Sequence, residues 1–196
     1  MTKLKKCSEC PTEFPRSGMR NVCSIPCSIA RIERRRAERF QKECNVAKKK
    51  YYDKDLNKQI ALTIPVFNKL RRLQEFKWFK DRGLEPECIS CGKKKMDWCC
   101  SHFKTAGSHS ELQFDPMNTY LACNRYCNSG LSGNIDGTKT TRGYKVGLAE
   151  RFGQEEADRI IEYCNTSRVK KWTCEELIVM RASFNKQIRE LEHGNE

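Results

Sequence analysis

The chain has 196 residues, with 38 Lys and Arg against 25 Asp and Glu, for a formal charge of +13. It contains no run of 18 apolar residues, which excludes a transmembrane helix, and Met1-Thr2-Lys3-Leu4-Lys5-Lys6-Cys7 is not followed by the apolar stretch of a secretory signal. Thirteen cysteines in such a chain are expected in a reducing compartment, where close cysteine pairs bind metal or do chemistry more often than they form disulfides. The odd count also argues against a closed disulfide framework, and structural metal would compensate for a core kept modest by so much charge.

In chain order, the first feature is Cys7-x2-Cys10 followed by Cys23-x3-Cys27, with 12 residues between the pairs. Residues 28–60 then carry 11 Lys/Arg against 5 Asp/Glu without Gly or Pro, and read as one long charged helix. Ile29, Ile32, Ala37, Phe40, Cys44 and Ala47 form a thin apolar stripe along it. Pro65 is expected to break or kink the helix at that point. A second amphipathic helix is predicted over Val66–Arg82, with Gly83 as its stop.

Residues 84–135 are rich in Cys, Gly, Ser and Asn and suit a loop-rich unit held by metal. They contain the second quartet, Cys88-x2-Cys91 and Cys123-x3-Cys127, with 31 residues between the pairs. A Cys-x2-Cys turn can grip one tetrahedral zinc, and a second pair closes the site with no open position, so both sites read as structural. The second pair of each quartet is expected to open a helix, the treble-clef arrangement. Cys44, Cys99, Cys100, Cys164 and Cys174 read as packing residues. The polar stretch Thr138 to Tyr144 reads as a loop, and Gln154 to Cys164 as a short helix. The final helix comes after a capping box, Thr173-Cys174-Glu175-Glu176, and buries Leu177, Met180, Phe184, Ile188 and Leu191.

Of three histidines, His102 and His109 fall between the halves of the second quartet. The order Ser101-His102-Phe103, Gly107-Ser108-His109, Phe114-Asp115-Pro116-Met117-Asn118 and Cys123-Asn124-Arg125-Tyr126-Cys127-Asn128 resembles an HNH, or His-Me finger, nuclease. In that class a β-hairpin and helix clasp one divalent metal. The first His activates water, a middle Asn orients it, and a residue on the helix holds the metal. Together with Leu112-Gln113-Phe114, Leu131-Ser132-Gly133-Asn134 and Lys171-Trp172-Thr173-Cys174, the order also resembles the lambdoid-phage NinG (Rap) recombination family over nearly the whole chain. That resemblance implies a phage-encoded, structure-specific endonuclease of the host cytoplasm, cutting branched DNA such as D-loops and Holliday junctions. It implies His102 as general base, Asn118 as its orienting residue, and Asn128 or Asn134 as the ligand of Mg2+. There are two departures. Ser101 stands where these enzymes commonly carry an acidic or His ligand, and the usual third His is absent. His109 remains open between a further ligand, a phosphate contact and an exposed loop residue.

The expected fold is α-rich, small α+β: a four-cysteine module at 1–30, a basic helical region at 31–83, a zinc-braced HNH-like ββα core at 84–136 and C-terminal helices over 137–196. Arg31, Arg34, Arg35, Arg39, Lys48 and Lys49 are the candidate phosphate contacts, which position a protein on DNA without reading bases. Tyr51 and Tyr52 either stack on unpaired bases or pack. The helix is long enough to pair with a second copy as a homodimer. The alternative function is a non-catalytic zinc protein that binds DNA and assists recombination or regulation, supported by the missing HNH ligands.

Overall fold

A computed structural model describes residues 3–16, 18–128, 135–138, 142–166 and 170–193. They divide into two units, Met1–Lys54 and Asp55–Glu196.

In the first unit, β1 (Leu4–Lys6) and β2 (Glu13–Pro15) pair antiparallel with Lys5 opposite Phe14. Cys7 and Cys10 occupy the turn between them. The helix α1 (Ile25–Tyr52) comes next, capped by the Ser24 hydroxyl, which accepts from the Cys27 N–H at 3.4 Å, with Pro26 in its first turn. The buried core consists of Cys7, Phe14 and Val22, with Cys10, Cys23 and Cys27 packed against it. So small a core needs a second source of stability. No residue of α1 is buried.

The second unit begins at a break that divides the stretch expected to be one helix. The helix α1 ends at Tyr52, and Asp55 caps α2 (Leu56–Lys80) by accepting from the Lys58 N–H at 3.1 Å. Asp favours caps over helix interiors because its short carboxylate satisfies free N–H groups. Pro65 lies inside α2 rather than before it. The helix runs through because both sides of the proline are held by tertiary contacts. Arg181 of α5 (Cys174–His193) donates to Gln59 Oε1 at 2.8 Å and Thr63 Oγ1 at 3.1 Å, and Phe67 is buried with Phe114 and Leu177. Gly83, at φ +64, stops the chain behind α2 as expected.

The strands β3 (Trp98–His102) and β4 (Thr119–Cys123) form an antiparallel hairpin in which Cys100 faces Leu121 and His102 faces Thr119. A two-stranded sheet leaves an unpaired edge, and α2 covers that of β4 with charged side chains. Arg71 donates to the Thr119 carbonyl at 2.8 Å, and Glu75 Oε2 accepts from the Leu121 N–H at 3.0 Å. Ile89 N–H donates to the Leu121 carbonyl at 2.9 Å. Glu75 in turn accepts from Arg151 at 2.7 Å, and the Arg151 guanidinium lies 4.2 Å from the Trp78 ring and 4.4 Å from the Phe79 ring. The buried face of α2 therefore mixes Phe67, Leu70 and Phe79 with Gln59, Arg71 and Glu75.

Tyr144 to Phe152 forms α3, where a loop was expected to reach Tyr144, and α4 (Gln154–Asn165) comes after it as expected. Gly147 obscures α3 in sequence yet fixes its place: a Cβ there would lie 1.6 Å from the Ile89 carbonyl oxygen. Gly147→Ala should therefore destabilise this unit by about 1–3 kcal/mol or more, as overpacking does. Denaturant melting would check this, and an unchanged midpoint would show that the contact relaxes freely. The capping box of α5 is reciprocal: Thr173 N–H donates to Glu176 Oε2 at 3.0 Å, and Glu176 N–H to Thr173 Oγ1 at 3.1 Å. Of its apolar stripe, Leu177 and Ile188 are buried and Met180, Phe184 and Leu191 partly so.

Candidate metal centres and the His102 site

Each quartet is assembled from a turn and a later strand end or helix start. Cys7 and Cys10 come from the β1–β2 turn, Cys23 from just before α1 and Cys27 from its first turn. Cys88 and Cys91 form a turn with Gly92 at φ +67, Cys123 ends β4, and Cys127 lies in a short π-helical turn over 124–128. The two turns close identically. Cys7 N–H donates to the Thr12 carbonyl and Cys88 N–H to the Lys93 carbonyl, both at 2.9 Å and both five residues on. In each quartet the third cysteine's N–H donates to the first cysteine's Sγ, Cys23 to Cys7 and Cys123 to Cys88, at 3.4 Å.

In both quartets the four sulfurs lie within 4.8 Å of one another. A zinc tetrahedron with bonds of about 2.3 Å requires sulfur–sulfur edges of about 3.8 Å. The separations are 3.5 Å for Cys10–Cys23, 3.6 Å for Cys23–Cys27, 3.7 Å for Cys10–Cys27 and 3.8 Å for Cys91–Cys123. None approaches a disulfide bond, and none of the 13 cysteines is joined to another by one. The donor set thus fits a zinc ion in both places. Hydrogen bonding from the Glu9 backbone, opposed by burial, holds the Cys7 thiol down at about 6, a ready thiolate. Burial pushes Cys127 well up, so its proton would leave only for a metal.

Of the cysteines read as packing residues, Cys100 and Cys164 are buried, whereas Cys44 is exposed on α1, none of whose residues is buried. Burial pushes Cys99 and Cys100 up to about 12, which leaves both protonated and unreactive near neutral pH.

His102 stands at the end of β3, and its Nε2 lies 2.9 Å from the Gln113 carbonyl oxygen. A carbonyl only accepts, so Nε2 carries the proton and the neutral ring presents its lone pair at Nδ1. Burial lowers the His102 pKa from its ordinary 6.5, opposed by the Gln113 bond. The Gln113 carbonyl belongs to the loop between the strands, and Asn118 pins that loop from within. Its side chain is fully buried and donates to the carbonyls of Lys104 at 3.0 Å and Leu112 at 3.1 Å. It accepts from Lys104 N–H at 2.7 Å. Further bonds brace the loop: Trp172 Nε1 donates to the Ser110 carbonyl at 2.9 Å, and Tyr163 to Asp115 at 2.6 Å. The role of Gln113 is invisible in sequence because it is a backbone oxygen that acts.

Ser101 is buried, and its carbonyl accepts from Tyr144 at 2.9 Å. His109 Nδ1 pairs with Glu111 at 3.1 Å. The Asn128 side chain donates to Asn124 Oδ1 at 3.5 Å, which leaves its own Oδ1 as an oxygen donor. Among the described residues no hydrogen bond joins Asn128 to His102. The turn holding Asn128 begins after Cys123, which the register sets opposite Trp98, four residues along β3 from His102. Asn134 lies outside the described residues. Among them, the two quartets are the only groups of His, Cys, Asp or Glu able to hold a metal.

The six candidate phosphate contacts all lie on α1, and none is buried. Arg34 is engaged within the protein: it bonds both Glu9 oxygens, at 2.8 and 3.2 Å, and Glu38 at 2.7 Å. It thereby ties the turn that carries Cys7 and Cys10 to the helix and holds the Glu9 carboxyl below its usual range. Lys48 lies 5.9 Å from the Tyr52 ring, and Tyr51 and Tyr52 meet edge to face. Arg35, Arg39 and Lys49 make no ion pair among the described residues.

The chain is a helix-rich α+β protein with two four-cysteine clusters that could each hold a zinc ion, one of them beside a histidine-bearing hairpin. No described helix is long and apolar enough to cross a membrane. The chain belongs to the family described as Bacteriophage Lambda NinG protein, whose model matches residues 1–195, and that membership ties it to phage recombination. No curated protein and no solved structure matches it significantly.

Proposed function

We propose that the protein is a structure-specific endonuclease that hydrolyses phosphodiester bonds in branched recombination intermediates in the host cytoplasm, with residues 84–136 as an HNH-like, treble-clef core. The observation that carries the reading is His102: its Nε2–H is committed to the Gln113 carbonyl, its Nδ1 is left as a base, and it stands on a hairpin whose far strand ends in Cys123 of a four-cysteine cluster that could hold zinc. Nδ1 takes a proton from water as the water oxygen bonds phosphorus and the phosphorus–oxygen bond to the leaving nucleotide breaks. Asn118 is the positioning residue, acting through the loop that carries Gln113. In this reading Asn128 or Asn134 would supply an oxygen donor for Mg2+, the donor type that ion prefers. Bound there, Mg2+ would supply Lewis-acid positive charge to the reacting phosphate.

The experiment is incubation of purified protein and Mg2+ with a labelled four-way junction and with linear duplex of the same sequence. Nicks near the branch of the junction alone are expected. Tight binding without nicks would instead favour a non-catalytic DNA-binding protein. That second reading draws on the absence, among the described residues, of a carboxylate or histidine cluster around His102.

The grip on DNA is assigned to α1, whose Arg31, Arg35, Arg39, Lys48 and Lys49 contact phosphates. Binding should then weaken linearly in log–log form as salt rises. Neutralising Arg35 and Lys49 together should flatten the slope by roughly one unit per lost contact. Arg34 is unsuited to this test because Glu9 and Glu38 hold it. An unchanged slope would move the grip to another surface.

A further inference from the structure

We infer that α1 is the interface between two copies of this chain, paired antiparallel through its apolar stripe. The helix has 28 residues, about 42 Å at 1.5 Å per residue, and buries none of them. Ile25, Ile29, Ile32, Phe40 and Tyr51 are all exposed on it. At about 100° per residue these five fall on one side, together with Cys44 and Ala47. Cys27 and Arg34 fall on the other side. That side already holds the metal-binding turn, through the Cys27 sulfur and the Arg34–Glu9 pair. Arg31, Arg35 and Lys49 share it. The stripe is therefore the face that the first unit itself leaves open.

Charge and shape choose a second copy and an orientation. Parallel pairing would set Arg36, which lies within the stripe, against the partner's Arg36, and Glu43 against the partner's Glu43. Antiparallel pairing centred on residue 38 separates the two Arg36 side chains and, where it sets Glu43 against the partner's Glu33, places an Arg36 one turn from both carboxylates. It sets Ile25 against the partner's Tyr51, Ile29 against the partner's Ala47 and Ile32 against the partner's Cys44, large side chains facing small ones in two of the three. Arg36 then lies over the partner's Phe40, a cation–π pairing, and one turn from both its own Glu33 and the partner's Glu43. The basic sides of the two helices face outward.

The test uses the full chain loaded with zinc, at tens of micromolar, in sedimentation velocity. A mass of two chains of 22.9 kDa is expected. Ile32→Glu combined with Phe40→Glu should halve that mass while helical circular dichroism and zinc content stay unchanged, since neither side chain is buried within one chain. Ile32→Cys with a short bis-maleimide should link position 32 of one chain to Cys44 of the other. A wild-type mass of one chain, with the stripe open or covered by this chain's own second unit, would overturn the proposal. So would a dimer indifferent to the double substitution, or Cys44-to-Cys44 linkage in the wild type. None of these readouts involves cleavage, so the dimer and the nuclease reading fail separately.

Discussion

Replacing His102 with alanine is expected to lower junction cleavage by about 10²–10⁴-fold, the contribution of a positioned general base. Zinc content and junction affinity should stay near wild type, because the imidazole is bonded to the Gln113 carbonyl and not to either quartet. The pH profile separates a base from a packing residue. Only neutral imidazole accepts a proton, and burial lowers the His102 pKa from 6.5. Wild-type cleavage should therefore rise with pH around a midpoint below 6.5 and be level through neutrality, and the variant should lose the rise. Asn118→Ala should lower cleavage as well, by freeing the loop that carries the Gln113 carbonyl. It removes three hydrogen bonds of a buried side chain and so also loosens the fold. Undiminished cleavage by His102→Ala protein free of contaminating nuclease would sink the base assignment and promote the binding-only reading.

Two zinc ions per chain are expected by elemental analysis, and their removal is expected to unfold rather than merely loosen the structure. Binding of structural zinc contributes on the order of 10–16 kcal/mol in small modules, comparable to or above the stability of a whole domain. The first unit has three buried hydrophobic residues in its core, one of them the ligand Cys7. In the second unit Cys88 is fully buried, and its sulfur accepts the Cys123 N–H at the end of β4. Cys88→Ser should thus reduce zinc to one ion per chain and abolish cooperative melting of the second unit, while the first quartet keeps its metal. Fewer than one zinc per purified chain, or a Cys88→Ser protein that melts like wild type, would show that hydrophobic packing alone holds the hairpin.

Local chemistry by itself determined much of this protein. The cysteine spacings define both quartets, because a Cys-x2-Cys turn has few ways to close, and the structure closes both through the same five-residue hydrogen bond. The capping box of α5 and the stop at Gly83 were legible for the same reason: each is satisfied by groups within a few residues. Tertiary structure decided the features that depend on distant partners. It carried α2 through Pro65 with contacts from Arg181, and it placed in the buried face of α2 two residues that hydrophobic periodicity does not mark, Arg71 and Glu75, whose partners are the backbone of β4. It seated α3 against Ile89 through a glycine that reads as a helix breaker. It tied Arg34 to Glu9, 25 residues away, where charge alone marked Arg34 for phosphate. It also set the tautomer of His102, because the carbonyl that orients the ring belongs to Gln113, and a backbone oxygen carries no signature in the sequence until the loop around it is folded.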